Sequence, residues 1–136
     1  MADVRIIGTV ISTYTRIVQI TAEEAGLSHE TIATPAHSPE NRHPFGKVPV
    51  VEVDGLELYE SVAITQYLDN AHNSCALQPS NPARRAVMDK WIAIANNYLF
   101  PLFEHGIIMP FIMPALLASR WMRRASPRLC RISRAL

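Results

Sequence analysis

Three hydroxyl side chains, Ser12, Thr13 and Tyr14, follow a short apolar stretch and open a segment with helical spacing. A hydroxyl at such a point can donate to an anion while the N-terminal end of the helix adds positive potential. Ser12 is the best placed, with Thr13 and Tyr14 as fallbacks; Tyr14 also suits packing, at helical spacing from Ile17 and Val18. A second such point is Glu60–Ser61, where Ser61 opens another apolar periodic segment. It offers a hydroxyl, a backbone N–H and a helix end to an anion. Between the two, Pro49 follows Val48 at the head of a strand-like run, where a strand would need a hydrogen-bond donor. Each residue also has a plain structural role. Serine is a favoured N-cap at either helix start, and a proline can simply begin an edge strand.

Several chemistries are disfavoured. Cys75 and Cys130 form no C-x-x-C pair, and no Cys/His cluster has zinc spacing, so no metal is expected. With no cysteine at the start of the first helix, disulfide reduction is disfavoured. Residues 1–118 hold seven Lys/Arg against twelve acids, whereas 119–136 hold six Arg and no acid, which leaves the body at −5 and the tail at +6. A body of that sign does not attract nucleic acid. The opening MADVRIIGTV does not read as a signal peptide, and the uncharged stretch from Gly106 to Ser119 is too short to span a bilayer and is broken by Pro110 and Pro114. We therefore expect a soluble cytoplasmic protein with free thiols, and neither a nucleic acid nor a membrane as partner.

The elements that must position these residues follow from pattern. Val4 to Ile7 is a β-branched run ending at Gly8; a helix then runs from Ser12 to a stop at Gly26. His29 to Ala33 reads as a second strand, and TPAHSPENRHPFG as an irregular loop. Val48 to Val53 and Leu56 to Tyr59 flank Asp54-Gly55, a hairpin turn, before a helix from Ser61 to about Asn70. The order is βαβ, loop, ββα. Residues 71–82 look like a linker. A long helix starting at Pro82 carries Val87, Trp91, Ile94 and Tyr98 on one face and is expected to bend at Pro101.

That order, with a proline after a valine at the third strand, is the layout of an α/β thioredoxin-like domain, in which the proline forms a cis peptide. The segments "GTVISTYTRIVQITAEEAGL", "HPFGKVPVVEVDGLELYESVAITQYLD" and "MDKWIAIANNYLFPLFE" together resemble glutathione S-transferases, closest to the serine-type, phi-like plant enzymes and their bacterial relatives. The resemblance covers residues 4 to about 112, and its most diagnostic part runs from Pro49 to Ser61. It implies a thioredoxin-like domain over 1–72 and a partial all-α domain over 82–118. It also implies glutathione as co-substrate, a small electrophilic substrate and a homodimer if the protein is intact.

Laid on these residues, the resemblance implies that the cysteinyl backbone of glutathione pairs with Val48 beside Pro49. The γ-glutamyl end would meet Glu60 and Ser61, and the glycyl carboxylate would meet Lys47 or the loop at His37. Ser12 would donate to the sulfur. An unperturbed thiol is mostly protonated near neutrality, and lowering its pKa by about two units takes roughly 2.7 kcal/mol of preferential thiolate stabilisation. A charge-assisted hydrogen bond and a helix end can supply that. Serine here stabilises the nucleophile and does not attack. For Lys47 and His37, plain solvent exposure is an equally ordinary fate.

The ending from residue 119 has the Arg-, Ser-, Cys- and Pro-rich composition of a GC-rich gene read out of frame. A C-terminally truncated or frameshifted transferase is therefore expected, and the gene sequence tests this. A truncated chain that binds glutathione or protein without turnover is the alternative function. Membrane contact through Leu116, Leu117, Trp121 and the basic tail is a third option, disfavoured by Pro127.

Overall fold

β-Branched residues suit a pleated, buried surface, and they fill the centre of the sheet. The computed structural model describes residues 3–118, so the atypical tail over 119–136 lies outside the described residues. β1 (Val4–Gly8) pairs in parallel with β2 (His29–Ala33) and antiparallel with β3 (Val50–Val53), which in turn pairs antiparallel with β4 (Leu56–Tyr59). The sheet order is β2-β1-β3-β4. α1 (Thr13–Glu24) and α2 (Ser61–His72) pack against each other, and Val4, Ile6, Val51 and Val53 meet Val18, Ala22, Ile64 and Leu68 in one buried cluster. Burying a Val, Ile or Leu side chain contributes about 1.5–3 kcal/mol, so this cluster dominates the stability of the sheet unit.

The alternate residues of the strands carry charge instead. Arg5 stands opposite Glu30 on one side and Glu52 on the other, and Glu52 stands opposite Glu57. Arg5 pairs with both of its neighbours, at 2.8 Å for Glu30. Glu52 and Glu57 would repel each other as directly opposed like charges. Arg42, from the loop after β2, relieves this by pairing with both, at 3.0 Å for Glu57. The Arg42 guanidinium, followed by that of Arg5, holds the Glu52 carboxyl below its ordinary value.

The hairpin turn takes positive φ at Asp54 (51°) and Gly55 (76°), as a two-residue turn of primed type requires. The Tyr67 hydroxyl donates to Asp54 Oδ2 at 2.8 Å, and His72 Nε2 lies 2.7 Å from the same oxygen. These bonds hold the Asp54 carboxyl below its usual range, the Tyr67 bond first, and pin the turn to the far end of α2.

β3 begins at Val50, two residues later than the pattern suggests, because Val48 and Pro49 stay outside the ladder. α2 runs on to His72 rather than stopping near Asn70. The segment after it is tied back to α2. The buried Asp69 carboxylate accepts from the Leu77 N–H (3.0 Å), Gln78 Nε2 (2.6 Å) and Asn73 Nδ2 (2.9 Å). Among the described residues Cys75 forms no disulfide.

The chain divides into two units after Asn81. The second begins with α3 (Pro82–Ile94) and continues through a π-helical turn (Ala95–Leu99), α4 (Phe100–Phe103), a π-helical stretch (Glu104–Ile112) and α5 (Met113–Ala118). Proline cannot donate to the helical ladder, and around Pro101 and Pro110 the chain stays helical with widened turns. None of the residues described from 82 to 115 is buried, and Trp91, Tyr98 and Phe111 are 59%, 71% and 71% exposed. Pro82–Ala115 is long and apolar enough to cross a membrane by length and composition, a property shared with interior helices of water-soluble domains.

Candidate functional site

Strand direction decides where the chemistry gathers. β1 and β2 end, β3 begins and β4 ends at the same end of the sheet. The N-termini of α1 and α2 and both ends of the loop over 34–49 therefore meet there. Ser12, Lys47, Val48, Pro49, Glu60, Ser61 and His37 all belong to this end.

Ser12 is the N-cap of α1, with extended backbone (φ −72°, ψ 124°), and its Oγ accepts from the Thr15 N–H at 3.4 Å. That bond is long, and it uses only an acceptor site. The Ser12 O–H proton has no acceptor among the described residues. Capping and donation to a ligand are thus compatible in one side chain.

The Val48–Pro49 peptide is cis. Pro49 is buried while Val48 is half-buried, and among the described residues neither the N–H nor the C=O of Val48 has a hydrogen-bond partner. Val48 lies against Gly8, whose ideal Cβ position is 3.5 Å from Val48 Cβ. The Val48 backbone groups are therefore unspent at the sheet end that carries Ser12.

At the start of α2 the cap position falls on Glu60, not on Ser61. Glu60 has φ 71° and ψ 106°, and no side chain caps the helix. The first intrahelical bond here is Ile64 N–H to Glu60 C=O at 3.0 Å, so the N–H groups of Ser61, Val62 and Ala63 lie before it. A left-handed backbone at a non-glycine residue is strained, and such outliers gather at ligand sites. The alternative of a plain serine cap is removed by this geometry: Ser61 is the first helical residue.

The loop over 34–49 closes on itself. The His37 N–H donates to Gly46 C=O at 2.7 Å, and Asn41 Nδ2 donates to Lys47 C=O at 2.8 Å. Gly46 (φ +66°) leaves room for the His37 ring, since a Cβ there would lie 2.3 Å from Nδ1. Lys47 and His37 are exposed, with His37 itself at φ 58°. The sequence offered no signal for His43. It is buried, its ring lies 5.2 Å from that of Tyr59, its Nδ1 accepts from the Phe45 N–H at 3.1 Å, and its Nε2 is 3.8 Å from Glu60 Oε1. A turn histidine flanked by arginine and proline carries no periodic mark, so only the folded loop reveals it. Among the described residues no group of three His, Cys, Asp or Glu could hold a metal ion.

The family model for the glutathione S-transferase N-terminal domain matches residues 6–82, more than half of the chain. The chain belongs to the glutathione S-transferase family. Glutathione S-transferase 1 of Zea mays is 34% identical over 123 residues, which is 82% of this chain and 58% of that protein. A theta class glutathione S-transferase from Xanthomonas axonopodis pv. citri, solved with glutathione bound, superposes with a TM-score of 0.66 at 31% identity. That match covers 76% of this chain and 53% of the bacterial one. Glutathione S-transferase-I bound with lactoylglutathione gives a TM-score of 0.67 at 29% identity, over 85% of this chain and 58% of that one. The chain thus spans little more than half the length of these transferases.

Proposed function

We propose that this chain binds glutathione at the end of its sheet and, as a transferase, conjugates the glutathione thiolate to an electrophilic carbon of a small apolar substrate. One observation carries the proposal. Backbone donors and acceptors stand unspent at two points of a single sheet end, at Val48 and at the uncapped start of α2, with the Ser12 hydroxyl at the same end. That set fits an extended tripeptide with a carboxylate at its γ-glutamyl end. Val48 pairs with the cysteinyl backbone beside Pro49, Ser61 and the helix end take the γ-glutamyl carboxylate, and Glu60 faces the ammonium group. Lys47 and His37 are the candidates for the glycyl carboxylate.

In the reaction the thiol gives its proton to solvent, and the thiolate is held by the Ser12 O–H and the positive end of α1. The sulfur then forms a bond to carbon as the electrophile releases its leaving group or takes up a proton. Glutathione as a bound ligand is supported by the bacterial relative, solved with it. The apolar electrophile, a homodimer and a cytoplasmic setting belong to the same proposal. The domain reading is that residues 1–72 bind glutathione and 82–118 begin a helical domain.

A binding module without turnover is the second reading. It is favoured by the exposed apolar side chains of the second unit, among them Trp91 and Tyr98. The test uses the full chain on immobilised glutathione and with a generic electrophilic aromatic substrate. Turnover that is lost in Ser12→Ala supports the transferase. Retention without turnover supports the module, and full activity in Ser12→Ala removes Ser12 from its role.

A further inference from the structure

A second hydroxyl stands behind Ser12. Thr15 is fully buried, at 0% exposure, and its Oγ1 has no hydrogen-bond partner. Buried hydroxyls are ordinarily satisfied. The other buried threonines obey this: Thr21 Oγ1 donates to the Ile17 C=O at 2.9 Å, and Thr34 Oγ1 donates to the Ile32 C=O at 3.3 Å. Thr15 sits three residues after an N-cap, where two routine partners exist. One is the carbonyl four residues back, which it does not use. The other is the cap's own N–H, as in a capping box, but the Ser12 N–H already donates to the Thr9 C=O at 3.0 Å.

Its surroundings point to a different use. An ideal Cβ on Gly8 would lie 2.7 Å from Thr15 Oγ1 and 3.5 Å from Val48 Cβ, so the hydroxyl looks onto the spot where the end of β1 meets Val48. Through its own N–H, Thr15 also holds Ser12 Oγ, at 3.4 Å. The same residue therefore touches the cap serine and borders the junction of Gly8 and Val48, while its polar atom is unsatisfied.

We propose that Thr15 is a positioning residue for the glutathione thiolate: when the Ser12 O–H turns to the bound sulfur, the Thr15 hydroxyl donates to Ser12 Oγ. The inference rests on the reading of Ser12 as the thiolate's partner. Two hydroxyls in series polarise each other, so the donor facing the sulfur is strengthened by the donor behind it. No proton is transferred to either residue; the thiol proton leaves to solvent.

The test follows the pH titration of the ultraviolet thiolate absorbance of glutathione bound to the full chain, in the parent, Thr15→Val, Thr15→Ser and Ser12→Ala, with thermal melts of each free protein. Thr15→Val keeps the shape and removes the hydroxyl. It is expected to raise the thiol's titration midpoint, cutting the thiolate fraction at neutral pH about tenfold, without lowering Tm. Thr15→Ser is expected to titrate like the parent. A parent-like midpoint in Thr15→Val beside a raised one in Ser12→Ala overturns the role of Thr15 and leaves that of Ser12 standing. A raised midpoint in Thr15→Ser, or a strongly lowered Tm in Thr15→Val, also overturns it, the latter because it gives the hydroxyl a partner in the free protein. No thiolate signal in the parent, or a parent-like midpoint in Ser12→Ala, removes the reading of Ser12 and the inference together.

Discussion

Replacing Gly8 by alanine tests how closely α1 is docked on the end of β1. The new Cβ would sit 2.7 Å from Thr15 Oγ1 and 3.3 Å from Thr15 Cγ2. Both branches of the threonine thus lie close to the new atom, and relief requires Thr15 to change rotamer or shift. Thr15 is fully buried, which leaves it no outward escape. Overfilling a packed site of this kind costs about 1–3 kcal/mol. For a unit of this size that lowers Tm by roughly 4–24 °C. Circular dichroism melts of the full chain read the change directly. Because the clash is with one side chain, Thr15→Ala should relieve it, and the double variant should be more stable than the sum of the two single losses by about 1 kcal/mol. A parent-like Tm in Gly8→Ala, or strictly additive losses in the double variant, would refute the close docking of these elements.

Other perturbations probe the supports around the site. Glu52→Gln, which removes the carboxylate shared by Arg5 and Arg42, should lower Tm in low salt and do so less at high salt. With folded-state pKa values held below the ordinary 4.5 of Glu52 and 3.8 of Asp54, the stability from these groups is fully present above those values. It is lost as pH falls from there through the folded-state values, so acid melts should steepen below about pH 4.5, and Glu52→Gln should flatten that slope. Asp69→Ala leaves the Leu77 N–H without its acceptor and the Gln78 amide with only Asn70 Oδ1, at about 1.5–3 kcal/mol, and should make the segment over 73–78 the first site of limited proteolysis. Gly46→Ala meets both an unfavourable φ of +66° and the His37 ring, and should cost about 1–3 kcal/mol in chemical denaturation.

The elements that were legible in the sequence are those written in local pattern. β-Branched runs marked β1 and β3, Asp54-Gly55 marked the hairpin, and Ser12 marked the start of α1. The end of the sheet at which Ser12, Pro49 and Ser61 gather follows from strand order, which the resemblance supplied. What stayed hidden depends on distant partners. Val48 looked like strand because its side chain is β-branched, yet it remains outside the ladder beside Pro49. Arg42 lies in an irregular loop ten residues before Glu52 in β3, and only register brings Glu57 and Arg5 to the same row. The strained backbone of Glu60 and the unsatisfied hydroxyl of Thr15 have no compositional mark at all, since each residue type is ordinary in itself.

The backbone at Glu60 sets two selections against each other. Glycine adopts φ near 71° without penalty, so Glu60→Gly would ease the chain locally while deleting the carboxylate. A library at this position sorted for heat resistance should drift toward glycine, and the same library sorted by capture on immobilised tripeptide should keep the acid. Under the proposed role of Glu60, thermal tolerance and recognition are traded through one torsion angle.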